Sequence, residues 1–100
     1  MPKKNSRNNN FLNTYKKKTS PKIYSLLVEL VNEEKDNFAE DVVKIDYLLE
    51  YSSTCIKQND FEEAKDALSK IKIRIDKLDS EEINTEYLKY LYEGLIKKLK

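Results

Sequence analysis

The sequence predicts an all-α fold, an antiparallel helical bundle of four helices preceded by a flexible basic N-terminal tail. Three observations carry this. Glycine occurs once and proline twice, which starves the turns that an all-β chain needs. Charged residues make up 37% of the chain and hydrophobic residues 39%, a balance that suits amphipathic helices around a single core and leaves too little apolar material for two. Beyond residue 19, large apolar side chains recur at spacings of three and four.

Residues 1–19 are rich in asparagine and lysine and poor in large apolar side chains. Alone they bury too little surface to offset the entropy of ordering, so a flexible tail is expected there and a bundle over 20–100. The first helix is expected over about 20–35. Ser20 suits the N-cap and Pro21 the first helical position, and Ile23, Leu26, Leu27, Leu30 and Val31 then follow on one face. The second is expected over about 38–57, with Asn37 and Glu40 as a capping box and Phe38, Val42, Ile45, Leu49, Ser52 and Ile56 as its apolar stripe. Val43, Tyr47, Leu48, Tyr51 and Cys55 widen that stripe, so this helix should touch more than one neighbour.

A polar turn leads to the third helix, about 60–78, whose inward face is Phe61, Ala64, Leu68, Ile71, Ile75 and Leu78. Inside it, KIKIRI alternates apolar and basic residues with a period of two, the pattern of a strand with a positive face. The longer pattern outweighs it. A helix keeps six apolar residues together and misplaces only Ile73, whereas a strand would lack a partner or a Gly-containing turn. The fourth helix is expected over about 80–99. Asp79 and Ser80 would cap it, Glu81 and Glu82 would sit in its first turn, and Ile83, Tyr87, Tyr90, Leu91 and Leu95 would share a face. Gly94 falls in that face, which suits a close helix approach or an early C-cap. Connections of two to four residues favour antiparallel neighbours.

Charge is unevenly spread. Residues 1–22 hold Lys3, Lys4, Arg7, Lys16, Lys17, Lys18 and Lys22 and no carboxylate, whereas residues 23–100 hold twelve basic and eighteen acidic residues. A basic arm thus precedes an acidic body.

The side-chain inventory narrows the chemistry. Histidine is absent, which removes the commonest general base and zinc ligand. There is no Gly-rich phosphate loop and no Cys cluster, and Cys55 stands alone in an apolar stretch where a buried thiol is expected. Glu33, Glu34, Asp36, Glu40 and Asp41 crowd the junction of the first two helices, but the alternating ligands and the glycine of an EF-hand are missing. The expectation is therefore a protein that is not an enzyme and has no cofactor and no metal. With no integral membrane segment and no secretory signal in sight, a soluble, cytoplasmic location is expected.

YSSTCIKQNDFEEAKDALSKI, with Phe61, Ala64 and Leu68 after its turn, resembles the junction between the two helices of a tetratricopeptide repeat. The usual Gly and Pro positions of that repeat fall on Ser52 and Asp76, and no second copy follows at a period near 34 residues, so no binding residues carry over.

Two sets of residues could make contacts. In the tail, Phe11 and Tyr15 lie beside Lys16, Lys17 and Lys18, with Lys3, Lys4 and Arg7 upstream, a combination that stacks on bases and neutralises phosphates or meets an acidic partner. In the second helix, Tyr47 and Tyr51 lie one turn apart at the edge of the apolar arc, as an exposed aromatic pair would. The expected function is a non-enzymatic protein-protein interaction or adaptor module with a basic electrostatic arm, its partner another protein. The alternatives are a nucleic-acid-associated protein, such as a subunit of a ribonucleoprotein or of a plasmid or phage DNA complex, contacting nucleic acid through residues 1–22, and a bacteriocin-type immunity protein, which the chain resembles in length and expected helix number.

Overall fold

A computed structural model of the chain describes residues 11–99. All regular structure among them is helical, and no strand occurs. Residues 11–15 are helical and belong to α1. It is followed by α2 (Pro21–Asn32), α3 (Asp36–Lys57), α4 (Phe61–Ser80) and α5 (Glu86–Leu99). The chain divides into two compact units, with the boundary between Val42 and Val43 inside α3.

In the first unit, the segment expected as tail contributes α1. Phe11, Leu12 and Tyr15 have the spacing of one helical face, and Leu12 is buried. The helix closes where the Thr19 hydroxyl and backbone N–H both donate to the Tyr15 carbonyl, at 2.9 and 3.1 Å. Ser20 then caps α2 as expected, its Oγ accepting the Ile23 N–H at 3.4 Å with Pro21 next in the chain. Ile23, Leu27, Leu30 and Val31 are the buried stripe.

The α2 helix ends at Asn32 instead of Lys35, because Glu34 adopts a left-handed φ of 62°. Around it the Glu34 N–H donates to the Val31 carbonyl and the Lys35 N–H to the Leu30 carbonyl, which is a Schellman closure. The next helix starts at once. The Lys35 carbonyl accepts from both Phe38 and Ala39, so Asn37 lies inside α3 and the expected capping box does not form. Ala39 and Val42 are buried in this part of α3, as is Asp41.

In the second unit, residues 43–57 of α3 bury Ile45, Leu49, Ser52 and Cys55. Ser52 can lie inside because its hydroxyl donates to the Leu48 carbonyl at 2.7 Å. Asn59, at φ 61°, makes the same closure as Glu34: its own N–H reaches the Ile56 carbonyl and that of Asp60 reaches the Cys55 carbonyl. The chain reverses and α4 returns along α3.

Residues 70–76 are helical throughout, which settles the KIKIRI segment, and Ala64, Leu68, Ile71, Ile75 and Leu78 are buried as the heptad rhythm requires. Ala67 joins them, while Phe61 is 42% exposed and does not belong to the inward face. Phe61 is the first residue of α4, where the chain has just left the turn.

The α4 helix runs to Ser80, so Asp79 and Ser80 end a helix instead of starting one. Glu82 (φ 62°) provides a third Schellman closure, with its N–H on the Asp79 carbonyl and that of Ile83 on the Leu78 carbonyl. Leu78 and Ile83 are both buried, the apolar pair that this motif favours. The last helix begins at Glu86, where the Asn84 side-chain oxygen accepts the Glu86 N–H at 3.1 Å. Asp79 anchors the junction: it accepts the Thr85 hydroxyl and pairs with Lys89 at 2.6 Å. The inward face of α5 differs in part from expectation. Leu88 and Leu95 are buried, whereas Tyr90 is 71% exposed. Gly94 faces open space, with nothing within 4 Å of where a Cβ would stand, so neither a close helix approach nor a cap explains it.

Candidate interaction site

The α3–α4 hairpin carries the exposed aromatic pair. Tyr47 and Tyr51 stack with ring centroids 6.4 Å apart and planes 14° from parallel. They differ in their attachments. Tyr51 donates its hydroxyl to Glu63 at 2.8 Å, and this hydrogen bond to a carboxylate holds its ionisation well above the ordinary tyrosine range. Tyr47 is 62% exposed, against 39% for Tyr51.

Tyr47 forms one wall of a groove of 580 Å³ whose floor is completed by Leu48 and Ile73. Helical spacing creates it. Lys44, Tyr47 and Leu48 share one edge of α3, and Lys70, Ile73, Arg74 and Lys77 share the facing edge of α4. Ile71 and Ile75 point inward and are buried, which leaves Ile73 outward and 69% exposed. The walls therefore hold three large apolar side chains and four cations, with no carboxylate among them. Acidic groups stand just outside. Asp66 pairs there with Lys70 at 3.2 Å, whereas the Lys72–Asp76 pair, at 2.8 Å, lies on the other flank of α4 towards α5 and holds the Lys72 ammonium above its usual pKa. Such exposed i, i+4 pairs contribute little to stability and leave the cation available to an incoming charge.

Sequence reasoning singled out Tyr47 and Tyr51 but missed Lys44, Lys70, Ile73, Arg74 and Lys77. Their grouping depends on how α3 and α4 align after the Asn59 turn. The available signal was KIKIRI itself, since an isoleucine out of helical phase between basic residues places an apolar side chain on a cationic face.

The tail candidates are arranged differently. Lys3, Lys4 and Arg7 lie outside the described residues. Phe11 and Tyr15 contact each other with centroids 5.0 Å apart, and the Lys18 ammonium lies 5.9 Å from the Tyr15 ring centre. Lys16, Lys17 and Lys18 are all exposed. The Tyr15 ring thus already has an aromatic and a cationic neighbour.

A second groove of 580 Å³ runs between α3 and α5, with Leu49, Leu91 and Gly94 among its walls and both Asp46 and Lys97 at its rim. Burial, and then the neighbouring Glu50 charge, raise the Asp46 pKa. Its charges are mixed, unlike those of the first groove. In the acidic corner, Glu33 pairs with Lys35 at 3.3 Å, and one buried Asp36 carboxylate oxygen has no hydrogen-bond partner. Among the described residues no cluster of three or more His, Cys, Asp or Glu side chains is placed to hold a metal ion. Cys55 is a buried free thiol. Within the same residues no helix is long and apolar enough to cross a membrane.

No protein-family model, curated protein or solved structure matches this chain. The site geometry is the ground for a functional reading.

Proposed function

We propose that the chain is a non-enzymatic protein-binding module that works through the α3–α4 groove. One observation supports this reading above the others: Tyr47 and Ile73 stand exposed on facing helices, at 62% and 69%, within a ring of cations. Leaving a large apolar side chain in water forgoes about 1.5–3 kcal/mol of burial, and two of them in one groove make a nucleus for contact. Tyrosine and arginine are enriched in protein contacts, and charges at the edge of a patch steer approach while the apolar groups supply affinity.

The test compares the wild-type chain with the Tyr47→Ala/Ile73→Ser double variant as bait in extracts of the source cells. Both changes are at exposed positions, so circular dichroism should be unchanged. A partner retained by the wild type and lost by the variant is the expected result. Equal retention of every bound protein would overturn the reading.

A nucleic-acid-binding role through residues 1–22 draws support from the three consecutive exposed lysines at 16–18. It requires binding to oligonucleotides that weakens steeply with salt and survives the Tyr47→Ala/Ile73→Ser change. The bacteriocin-immunity alternative gains nothing from either groove.

A further inference from the structure

We propose that the occupant of the α3–α4 groove is an acidic amphipathic α-helix of a partner protein. This rests on the reading of the chain as a protein-binding module and specifies the partner. The first ground is shape. The groove is bounded by two helices, and from Lys70 to Lys77 its α4 edge runs for about 10 Å, two helical turns. A third helix laid along such a channel presents a stripe at i, i+3, i+4 and i+7, which matches a floor made of Tyr47, Leu48 and Ile73.

Charge gives the second ground. Lys44 stands on the α3 edge and Lys70, Arg74 and Lys77 on the α4 edge, so an occupant meets positive charge from both sides. A helix with carboxylates flanking its apolar stripe gains favourable pairs along both edges, and a basic one meets like charge.

A nucleic acid fits less well. Two of the three floor residues are aliphatic and give bases nothing to stack on, and Glu63 and Asp66 border the patch where a phosphate backbone would continue. Carboxylates outside the cationic ring favour a short charged ligand over a long polyanion.

The experiment selects ligands without prior bias. A phage-displayed library of random peptides of about 18 residues, long enough for five helical turns, is panned on the full chain. The recovered peptides are then titrated by fluorescence anisotropy at roughly 50 and 150 mM salt. The expected peptides are net negative, with apolar residues three and four apart, and gain helix on binding. Ile73→Ser should weaken them about tenfold or more. Lys44→Glu/Lys70→Glu should do the same, and the loss should shrink at the higher salt. Net-positive or uncharged selected peptides, or peptides indifferent to Ile73→Ser, would overturn the proposal. So would self-association of the wild type abolished by Ile73→Ser, which would make a second copy the occupant. A single-stranded oligonucleotide of about 20 nucleotides that displaces the peptides and depends on Ile73 would also refute it. If selection fails while the extract experiment still yields a partner dependent on Tyr47 and Ile73, the occupant is wrong and the module reading stands. If both fail, both fall.

Discussion

Replacing Glu82 by glycine should stabilise the protein. Glu82 sits at φ 62°, a left-handed conformation that a residue with a Cβ adopts at a cost of roughly 1–2 kcal/mol. It is held there by two hydrogen bonds of 3.0 Å, from its own N–H to the Asp79 carbonyl and from the Ile83 N–H to the Leu78 carbonyl, and by the burial of Leu78 and Ile83. Glycine removes the strain and keeps both bonds, which use backbone atoms alone. Against this stands the greater freedom of glycine in the unfolded chain, about 0.5–1 kcal/mol. The net gain is then about 0.5–1 kcal/mol, equivalent to a rise in Tm of roughly 2–8 °C for a domain of this size. Glu81 is the internal control, because it lies next door at φ −98° with no strain to relieve. Glu81→Gly should lower Tm by a similar amount. Thermal unfolding followed by circular dichroism reads both. If the two variants shift Tm in the same direction by the same amount, the left-handed closure at the α4–α5 junction is not what holds it.

Three further outcomes follow from the packing and charge pattern. Gly94→Ala should add about 0.5–1 kcal/mol by chemical denaturation, since an added Cβ meets open space within a helix interior; a loss would mean that something lies against this position. Leu12→Ala should cost about 2 kcal/mol because Leu12 is buried, and an unchanged denaturation midpoint would return residues 11–15 to the role of a tail. Asp79→Asn should flatten the acid limb of stability. The Lys89 ammonium, and then the Thr85 hydroxyl, lower the folded-state pKa of Asp79, so its contribution is present above the unfolded value of about 3.9 and is lost as pH falls through the lower folded value. Urea midpoints of wild type and variant should therefore differ at neutral pH and converge towards pH 2, and parallel curves would contradict the assignment.

The existence of the helices was legible because burial follows a period of three and four, and Ile23, Leu27, Leu68, Ile71 and Ile75 lie inside where that period places them. Their ends were legible only in part: α3 stops at Lys57, α4 starts at Phe61 and α5 stops at Leu99, each within a residue of expectation, whereas the α2–α3 and α4–α5 junctions were misplaced. All three long junctions close through left-handed residues, and the sequence puts Glu34, Asn59 and Glu82 there where the usual signal is glycine. With no glycine to mark a stop, Asn37 and the Asp79–Ser80 pair looked like starts. On α5 the expected face kept Leu95 but took Tyr90 as inward and missed Leu88. Leu12 was hidden by composition, since asparagines and lysines dominate the segment around one short apolar face. Within the candidate site the exposure of Tyr47 and Tyr51 could be read from the edge of one helix's apolar arc. The opposing cations could not, because they join the site only through tertiary register.

Ile73 shows why the local conflict in the sequence is informative. A helix built only for stability would place a polar residue between Ile71 and Ile75, since an isoleucine that is 69% exposed adds little burial and a β-branched side chain is a mediocre helix former. The sequence keeps it, and the result is an alternating run that imitates a strand. Positions where a chain departs from its own pattern without a gain in folding are where function is to be sought. On α4 that departure falls opposite Tyr47, between Lys70 and Arg74. Ile73→Gln should therefore leave the fold and its stability unchanged within about 0.5 kcal/mol while removing partner binding. A variant that loses stability as severely as a core substitution would show that Ile73 serves the fold after all.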